Sequence, residues 1–254
     1  MNDLETSVQK LNVCDFLFPA FVLCSASLRR TLVRHIFIQQ EKYRNQNSYA
    51  NILYQMIENI FDHDIILQNE RVLLRPLQLE DEKYFIPFVL NEPTIWKYSL
   101  IAPTDEASMK NYIASTVQNR AEKKEYPFIV FDKQTNMYAG CTRFYDIQQP
   151  YKTTQLGYTW YGKDFQRTGL NRNCKLLLLS FAFEEWGMER VELRADARNE
   201  RSINAMKNIG CTVEGTLRNH LPTNDGSRRD SIILSILKNE WYNDAKEKQL
   251  KKIY

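Results

Sequence analysis

Apolar and polar positions divide the chain into two differently patterned parts. Residues 1–62 contain no glycine, and apolar residues recur at helical spacing over 28–40 and again over 52–61. Two readings fit this stretch: a helical arm on the following domain, or a poorly ordered extension. From residue 65 the pattern becomes regular. Residues 71–77 alternate like a strand, and the acidic start around Leu79, Asp81 and Glu82 opens a helix that Pro87 should weaken or kink. Asp105 and Glu106 open a second helix reaching about Lys124, with acids in its first turn and bases near its end. Strands are predicted over 126–132, 138–147 and 153–161, with connections short enough for an antiparallel meander. Helix and strand then alternate: a long helix over 170–187 ending at Gly187, a strand over 191–195, and a helix over 199–209 stopped by Gly210. Strands over 211–217 and 230–237 and a Lys/Glu-rich helix from Asn239 complete the pattern. The expected class is α+β, a mixed α/β domain over 63–254 preceded by the extension.

Composition narrows the function. Hydrophobic residues make up 43% and charged residues 26% of 254, which suits one well-packed domain with an appendage. Six bases balance six acids in residues 1–62, so the formal charge of +3 belongs to the remainder. That excess is too small for a nucleic-acid-binding stripe. The longest apolar stretch, residues 16–28, is interrupted by Pro19, Ser25 and Ser27 and falls short of the ~20 residues a membrane span needs. Asp3, Glu5 and Asp15 precede it where an export signal carries bases, so a cytoplasmic protein with no membrane partner is expected. Five cysteines without a Cys-x-x-Cys pair, beside three histidines, are poor material for a metal site, and none is expected.

Two segments carry chemistry. Gln166, Arg167, Thr168, Gly169, Leu170 and Asn171 lie between a predicted strand and the long helix. A loop entering a helix aims unpaired N–H groups outward, and the helix dipole adds positive charge, which suits a pyrophosphate. Gly169 permits close approach, and Arg167 can add a charged contact. No Gly-Lys-Ser/Thr follows and the Rossmann glycines are missing, so neither nucleotide loop is present. An ordinary helix start with a flexible glycine is the alternative. The second segment opens the shorter helix, with Asn199 as N-cap and Ser202 on the first turn. Capping alone would also explain it.

In order and spacing these segments resemble the GNAT superfamily of N-acetyltransferases, specifically the branch that modifies ribosomal-protein N-termini. Leu156 to Tyr161 is similar to that family's fourth strand, and Gln166 to Asn171 to its Gln/Arg-x-x-Gly-x-Gly/Ala pyrophosphate loop. Phe181 to Glu192 resembles the following helix and fifth strand. Asn199 to Ser202, Ile209-Gly210, Glu214 to Arg218 and Ser235 to Trp241 continue the series, which covers about residues 65–242. Two positions depart from the pattern. Asn171 stands where the loop has glycine or alanine, and Met206 replaces the helix tyrosine that protonates the leaving thiolate.

The resemblance implies a twisted, mostly antiparallel sheet splayed between its fourth and fifth strands, with acetyl-CoA as co-substrate lying in the gap. Cofactor contacts are then expected from Trp160, Tyr161, Gln166 to Asn171 and Asn199. A backbone N–H near Trp160 would polarise the thioester, and an amine, from a protein N-terminus or a small molecule, would attack directly. Cys141, Cys174 and Cys211 are then packing residues. Ser202 matches the serine proposed as proton donor in the ribosomal branch. Glu214, His220 and Asp230 are candidates for removing the amine proton, and His220 has the ordinary pKa best suited to it. Asn91 to Tyr98, with Arg143 and Tyr145, could line the acceptor side; alternatively Trp96 and Tyr98 anchor a loop on the core. Transfer of a larger acyl group such as succinyl, or a catalytically silent CoA-binding module, are the competing functions.

Overall fold

A computed structural model describes residues 59–224 and 226–253. Of residues 1–62, read as an arm or an extension, 1–58 lie outside the described residues. The last residues of that stretch are described: Ile60–Asp62 form a 3-10 turn with Ile60 buried, and Phe61 packs against Tyr126 at 5.8 Å.

Strands β1 (Leu67–Gln68), β2 (Val72–Pro76), β3 (Glu125–Asp132), β4 (Met137–Gln148) and β5 (Thr153–Tyr161) form the first half of the sheet. After them come β6 (Arg190–Asp196), β7 (Thr212–Pro222) and β8 (Arg228–Leu237), in the spatial order β1-β2-β3-β4-β5-β6-β8-β7. Every pairing is antiparallel except β5 with β6. The β3–β4–β5 meander follows from the short connections, and the parallel pair from the helix that crosses between β5 and β6. This is the α+β class and the mostly antiparallel sheet predicted. Strand β7 runs past Leu217, where the sequence pattern stops it. Its register breaks between Leu217 and Leu221, Asn219 adopts φ +51°, and pairing resumes through Pro222 and Arg228. A bulge carries the hairpin on where alternation is lost.

The helices are α1 (Glu82–Asn91), α2 (Glu106–Ala121), α3 (Leu170–Ser180) and α4 (Glu200–Asn208). Helix α1 continues through Pro87 to Asn91, whose Nδ2 donates to the Pro87 carbonyl at 2.9 Å. Asp105 caps α2 by accepting from the Ser108 amide at 2.7 Å, while Ser108 Oγ accepts from the Asp105 amide at 3.0 Å. Helix α3 passes into a π turn, Phe181–Glu185, and the chain reverses at Gly187 with φ +74°. The C-terminal helical stretch also contains a π turn, Trp241–Ala245, between Lys238–Glu240 and Lys246–Leu250. No described helix is long and apolar enough to cross a membrane.

Neighbouring residues on a strand point to opposite faces, and the end of β5 shows what covers each. Trp160 packs on Phe85, Phe88 and Trp96, with centroids 4.8, 5.7 and 5.1 Å away, whereas Tyr161 donates from its hydroxyl to Asn171 Oδ1 at 3.2 Å. Helices α1 and α3 therefore lie on opposite faces. Tyr112 of α2 reaches Arg143 and Cys141 on the Trp160 face. The end of β5 thus lies between two packed layers.

Candidate active site

Strand β5 pairs with β6 only through Thr153, Thr154 and Gln155, opposite Arg190, Val191 and Glu192. From Leu156 to Tyr161 its edge toward β6 has no strand partner among the described residues. The cause lies on the other edge. Gly157 pairs with Arg143 and Trp160 with Cys141, so Tyr158 and Thr159 together oppose Thr142, and Tyr158 takes the left-handed conformation at φ +49°. Such a bulge bends its strand and increases the local twist, which turns β5 away from β6. The splay expected between the fourth and fifth strands is this gap, between β5 and β6 once the two-residue β1 is counted.

A cavity of about 620 Å³ opens at the gap, between the N-termini of α3 and α4 on one side and residues 94–101 on the other. At its α3 end the ligand-facing groups are backbone. Arg167 (φ +64°) and Gly169 (φ +87°) are both left-handed, and Gly169 is the N-cap of α3. Among the described residues no acceptor meets the N–H groups of Arg167, Thr168, Gly169 or Asn171. Alternating conformations of this kind make an anion-binding concavity. Gln166 fixes the loop: its Nε2 donates to the Tyr161 carbonyl at 2.8 Å and its Oε1 accepts from Arg201 on α4.

Trp160, Tyr161, Gln166, Arg167, Gly169, Asn171, Asn199 and Ser202 of the predicted residues line this one cavity. Thr168 and Leu170 do not. Thr168 Oγ1 donates to the Phe165 carbonyl at 2.9 Å and accepts from the Leu170 amide at 3.4 Å, and the Leu170 side chain is fully buried, which leaves the Thr168 backbone N–H for a ligand. Asn199 Oδ1 accepts from the Ser202 amide at 3.1 Å, the predicted cap. The Ser202 hydroxyl has no hydrogen-bond partner among the described residues and stands one turn before Met206 on the same wall.

His220 lies behind the wall. Its Nδ1 is 3.0 Å from Ser231 Oγ, which accepts from Arg229 Nε at 3.0 Å, and Arg229 lines the cavity. Burial and the positive charges of Arg194, Arg229 and Arg228 hold the imidazole below the ordinary histidine range. Glu214 chelates Arg190 and accepts from Ser235 Oγ at 2.7 Å. These contacts draw it down to about 2, the arginine contributing most. Asp230 Oδ1 accepts from the Asn219 amide at 2.7 Å.

At the far end Trp96 and Tyr98 divide the roles the sequence left open. Trp96 is buried against Trp160, whereas Tyr98 lines the cavity with Thr94, Lys97 and Ser99. Asn224 Nδ2 donates to the Ser99 carbonyl at 2.9 Å and ties the β7–β8 hairpin to this segment. Tyr145 lines the cavity, and Arg143 supports it from behind. The Arg143 guanidinium is buried, paired with Glu125 at 2.5 Å, and stacked 4.3 Å from the Tyr158 ring centroid. Burial raises Cys141 and pushes Cys174 and Cys211 up to about 12, so all three remain thiols and pack as neutral groups.

Lys175 was not singled out by the sequence. It lies on the buried side of α3, lines the cavity and is 5% exposed, with Nζ donating to Thr159 Oγ1 at 3.0 Å in the β5 bulge. No carboxylate lies within 4.0 Å among the described residues, and burial lowers the ammonium to about 8. A charged residue among the apolar positions Cys174, Leu178 and Leu179 of one helix was the available signal.

The sequence profile of the acetyltransferase (GNAT) domain matches residues 71–212, more than half of the chain. The N-acetyltransferase p20 of Bacillus licheniformis, itself uncharacterised, is 26% identical over 69% of this chain and 97% of its own. YdaF of Bacillus subtilis, provisionally named a ribosomal N-acetyltransferase, is 25% identical over 68% and 94%. The crystal structure of a GCN5-related N-acetyltransferase from Brucella melitensis superposes with a TM-score of 0.70 at 20% identity, over 76% of this chain and 86% of that one. It shares the fold. With the profile matched from β2 to the start of β7, this chain belongs to the GNAT acetyltransferase family and is an acyltransferase.

Proposed function

We propose that the protein transfers an acetyl group from acetyl-CoA directly to a primary amine. The observation that carries this reading is the unpaired edge of β5 beside the left-handed loop at the start of α3. The gap accommodates an extended pantetheine arm, and the loop presents N–H groups to the pyrophosphate. CoA supplies the activated thioester when bound, and the remaining work falls to the chain's own groups. Backbone N–H groups near Trp160 and Tyr161 polarise the carbonyl. His220 is the retained candidate for removing the amine proton. Its imidazole is held below the ordinary histidine range, whereas Glu214 is too weak a base; Ser231 Oγ can pass a proton to His220 Nδ1 from water in the cavity, while the Arg229 guanidinium beside Ser231 only donates and relays no proton. Ser202, with its free hydroxyl, donates a hydrogen bond or relays a proton to the departing thiolate.

The acceptor class is a protein N-terminus or a small amine; the name carried by YdaF favours the first. The acyltransferase domain is taken as residues 63–254, and the burial of Ile60 favours keeping residues 59–62 in any isolated domain. Met206 at the tyrosine position favours one rival reading, a CoA-binding module without turnover. Release of CoA thiol from acetyl-CoA, measured against a panel of N-terminal peptides and small amines, separates the two. Amine-dependent release is the expected result. Tight CoA binding without release from any amine would leave only the silent module.

A further inference from the structure

The cavity wall is strongly positive, and its charge is not confined to the end where CoA phosphates belong. Seven of its lining residues are lysine or arginine and one, Asp196, is acidic. Arg167, Arg172 and Arg201 stand at the first turns of α3 and α4, where the phosphates of CoA belong, and Lys175 lies beneath the gap. Lys97, Arg194 and Arg229 remain at the opposite end, on the acceptor side.

Arg229 stands out among them. It is 6% exposed, and its Nε donates to Ser231 Oγ at 3.0 Å. Among the described residues neither terminal nitrogen has a hydrogen-bond partner, and no carboxylate lies within 4.0 Å of the guanidinium. The nearest acid is already committed. Asp196 Oδ1 accepts from the Arg198 amide and Nε, both at 2.9 Å, and its Oδ2 accepts from Arg198 Nη2 at 2.7 Å. Arg194 is partly neutralised by Glu192 at 2.6 Å, and Tyr145 and Tyr158, edge to face at 5.0 Å, wall the same space. The guanidinium is mostly buried, yet its terminal nitrogens face the cavity without a protein partner, so a ligand anion can complete it at little further desolvation cost. Its planar fork matches a carboxylate bidentately. Ser231, itself anchored by His220, fixes the direction in which that fork points.

We propose that Arg229, assisted by Arg194, binds a carboxylate on the acceptor a short spacer away from the amine that is acylated. The preferred acceptors are therefore acidic amines, and polyamines and lysine-rich peptides are repelled by the same charges. The carboxylate comes either from an acidic second residue of a peptide N-terminus or from the α-carboxylate of a free amino acid. This inference rests on the amine-acceptor reading above, and a binding measurement keeps its failure separate from a failure of turnover.

The test is calorimetric titration of the CoA-loaded full chain with two matched pairs of probes. One pair is the C-terminally amidated tripeptides Ser-Glu-Ala and Ser-Gln-Ala; the other is free serine and serine amide. In at least one pair the acidic member should bind at least ~10-fold tighter, as expected for a charge-assisted bidentate contact, and the pair that shows it identifies the source. Arg229→Gln should bring that preference to within about twofold while affinity for the neutral member holds. Arg229→Lys, which keeps the charge and loses the fork, should retain part of it and guards against misfolding of the glutamine variant. Equal binding of acidic and neutral members, or a preference that survives Arg229→Gln, overturns the proposal. It is equally overturned if succinyl-CoA binds better than acetyl-CoA in an Arg229-dependent way, because the carboxylate then belongs to the acyl group.

Discussion

At the α3 end of the cavity the groups that face a ligand are backbone N–H groups of one contiguous loop. At the hairpin end they are side chains, Lys97, Tyr145, Arg194 and Arg229, brought from four separate elements. The first arrangement needs a left-handed residue and a helix start, both local properties. The second needs the whole sheet to be folded before any two of its residues meet. The shared half of a cofactor-dependent fold can therefore stay fixed while the acceptor half varies one side chain at a time.

If this division is right, substitutions on α4 should separate chemistry from binding. Ser202→Ala is expected to lower kcat by at least ~100-fold, the low end of general acid–base assistance, with CoA affinity intact. Steady-state turnover measured beside the melting temperature checks it. A destabilised variant with unchanged kcat would return Ser202 to a purely structural role on the first turn.

Lys175 tests the floor between the two ends. Its folded pKa of about 8 lies below the ordinary lysine value of 10.5. The penalty for burying the ammonium is therefore fully present below pH 8 and is relieved as pH rises from 8 to 10.5. The shift corresponds to about 3 kcal/mol, reduced by the lost bond to Thr159, worth about 1 kcal/mol. Lys175→Met should therefore stabilise the protein by about 2 kcal/mol at pH 7. It should also flatten the rise in stability between pH 8 and 10.5. Urea unfolding across that range is the measurement, and a variant less stable at pH 7 would mean the ammonium is solvated or paired.

Asn199→Ala should have the smallest effect. Loss of the cap to the Ser202 amide should cost about 1 kcal/mol of stability. If capping is its whole contribution, CoA affinity will be unchanged within twofold; a larger loss would show a direct contact with the cofactor.

Much of the fold was legible because periodicity reports local structure. The meander, the crossing helix and the cap at Asn199 follow from alternation, helical spacing and residue types that tolerate particular conformations. The extension of β7 to Pro222 was not legible, because a bulge breaks alternation at the point where pairing continues. On the cofactor side the Gln166 to Asn171 loop could be found from six neighbouring residues. The bulge at Tyr158, which opens the gap, leaves no such mark, since tyrosine is an ordinary strand residue and its positive φ is imposed by the strand opposite. Arg229 and Lys175 look like surface charges in the sequence. Only the folded sheet, which sets Arg229 in the wall beside Tyr158 and Lys175 against Thr159, buries them.

The central claim is that the two ends are separable, with CoA held at the α3 loop and the β5–β6 gap and not by Arg229. Calorimetric titration of acetyl-CoA into the wild-type protein, Gly169→Glu and Arg229→Gln tests it most directly. A Cβ at Gly169 meets no heavy atom within 4 Å, so glutamate acts through the strain of φ +87° and its negative charge beside the phosphates. Those effects together should weaken binding by about 100-fold, since 2.7 kcal/mol corresponds to that factor. Arg229→Gln should bind acetyl-CoA as the wild type does. Unchanged affinity in a folded Gly169→Glu, or an equal loss in Arg229→Gln, would contradict the account.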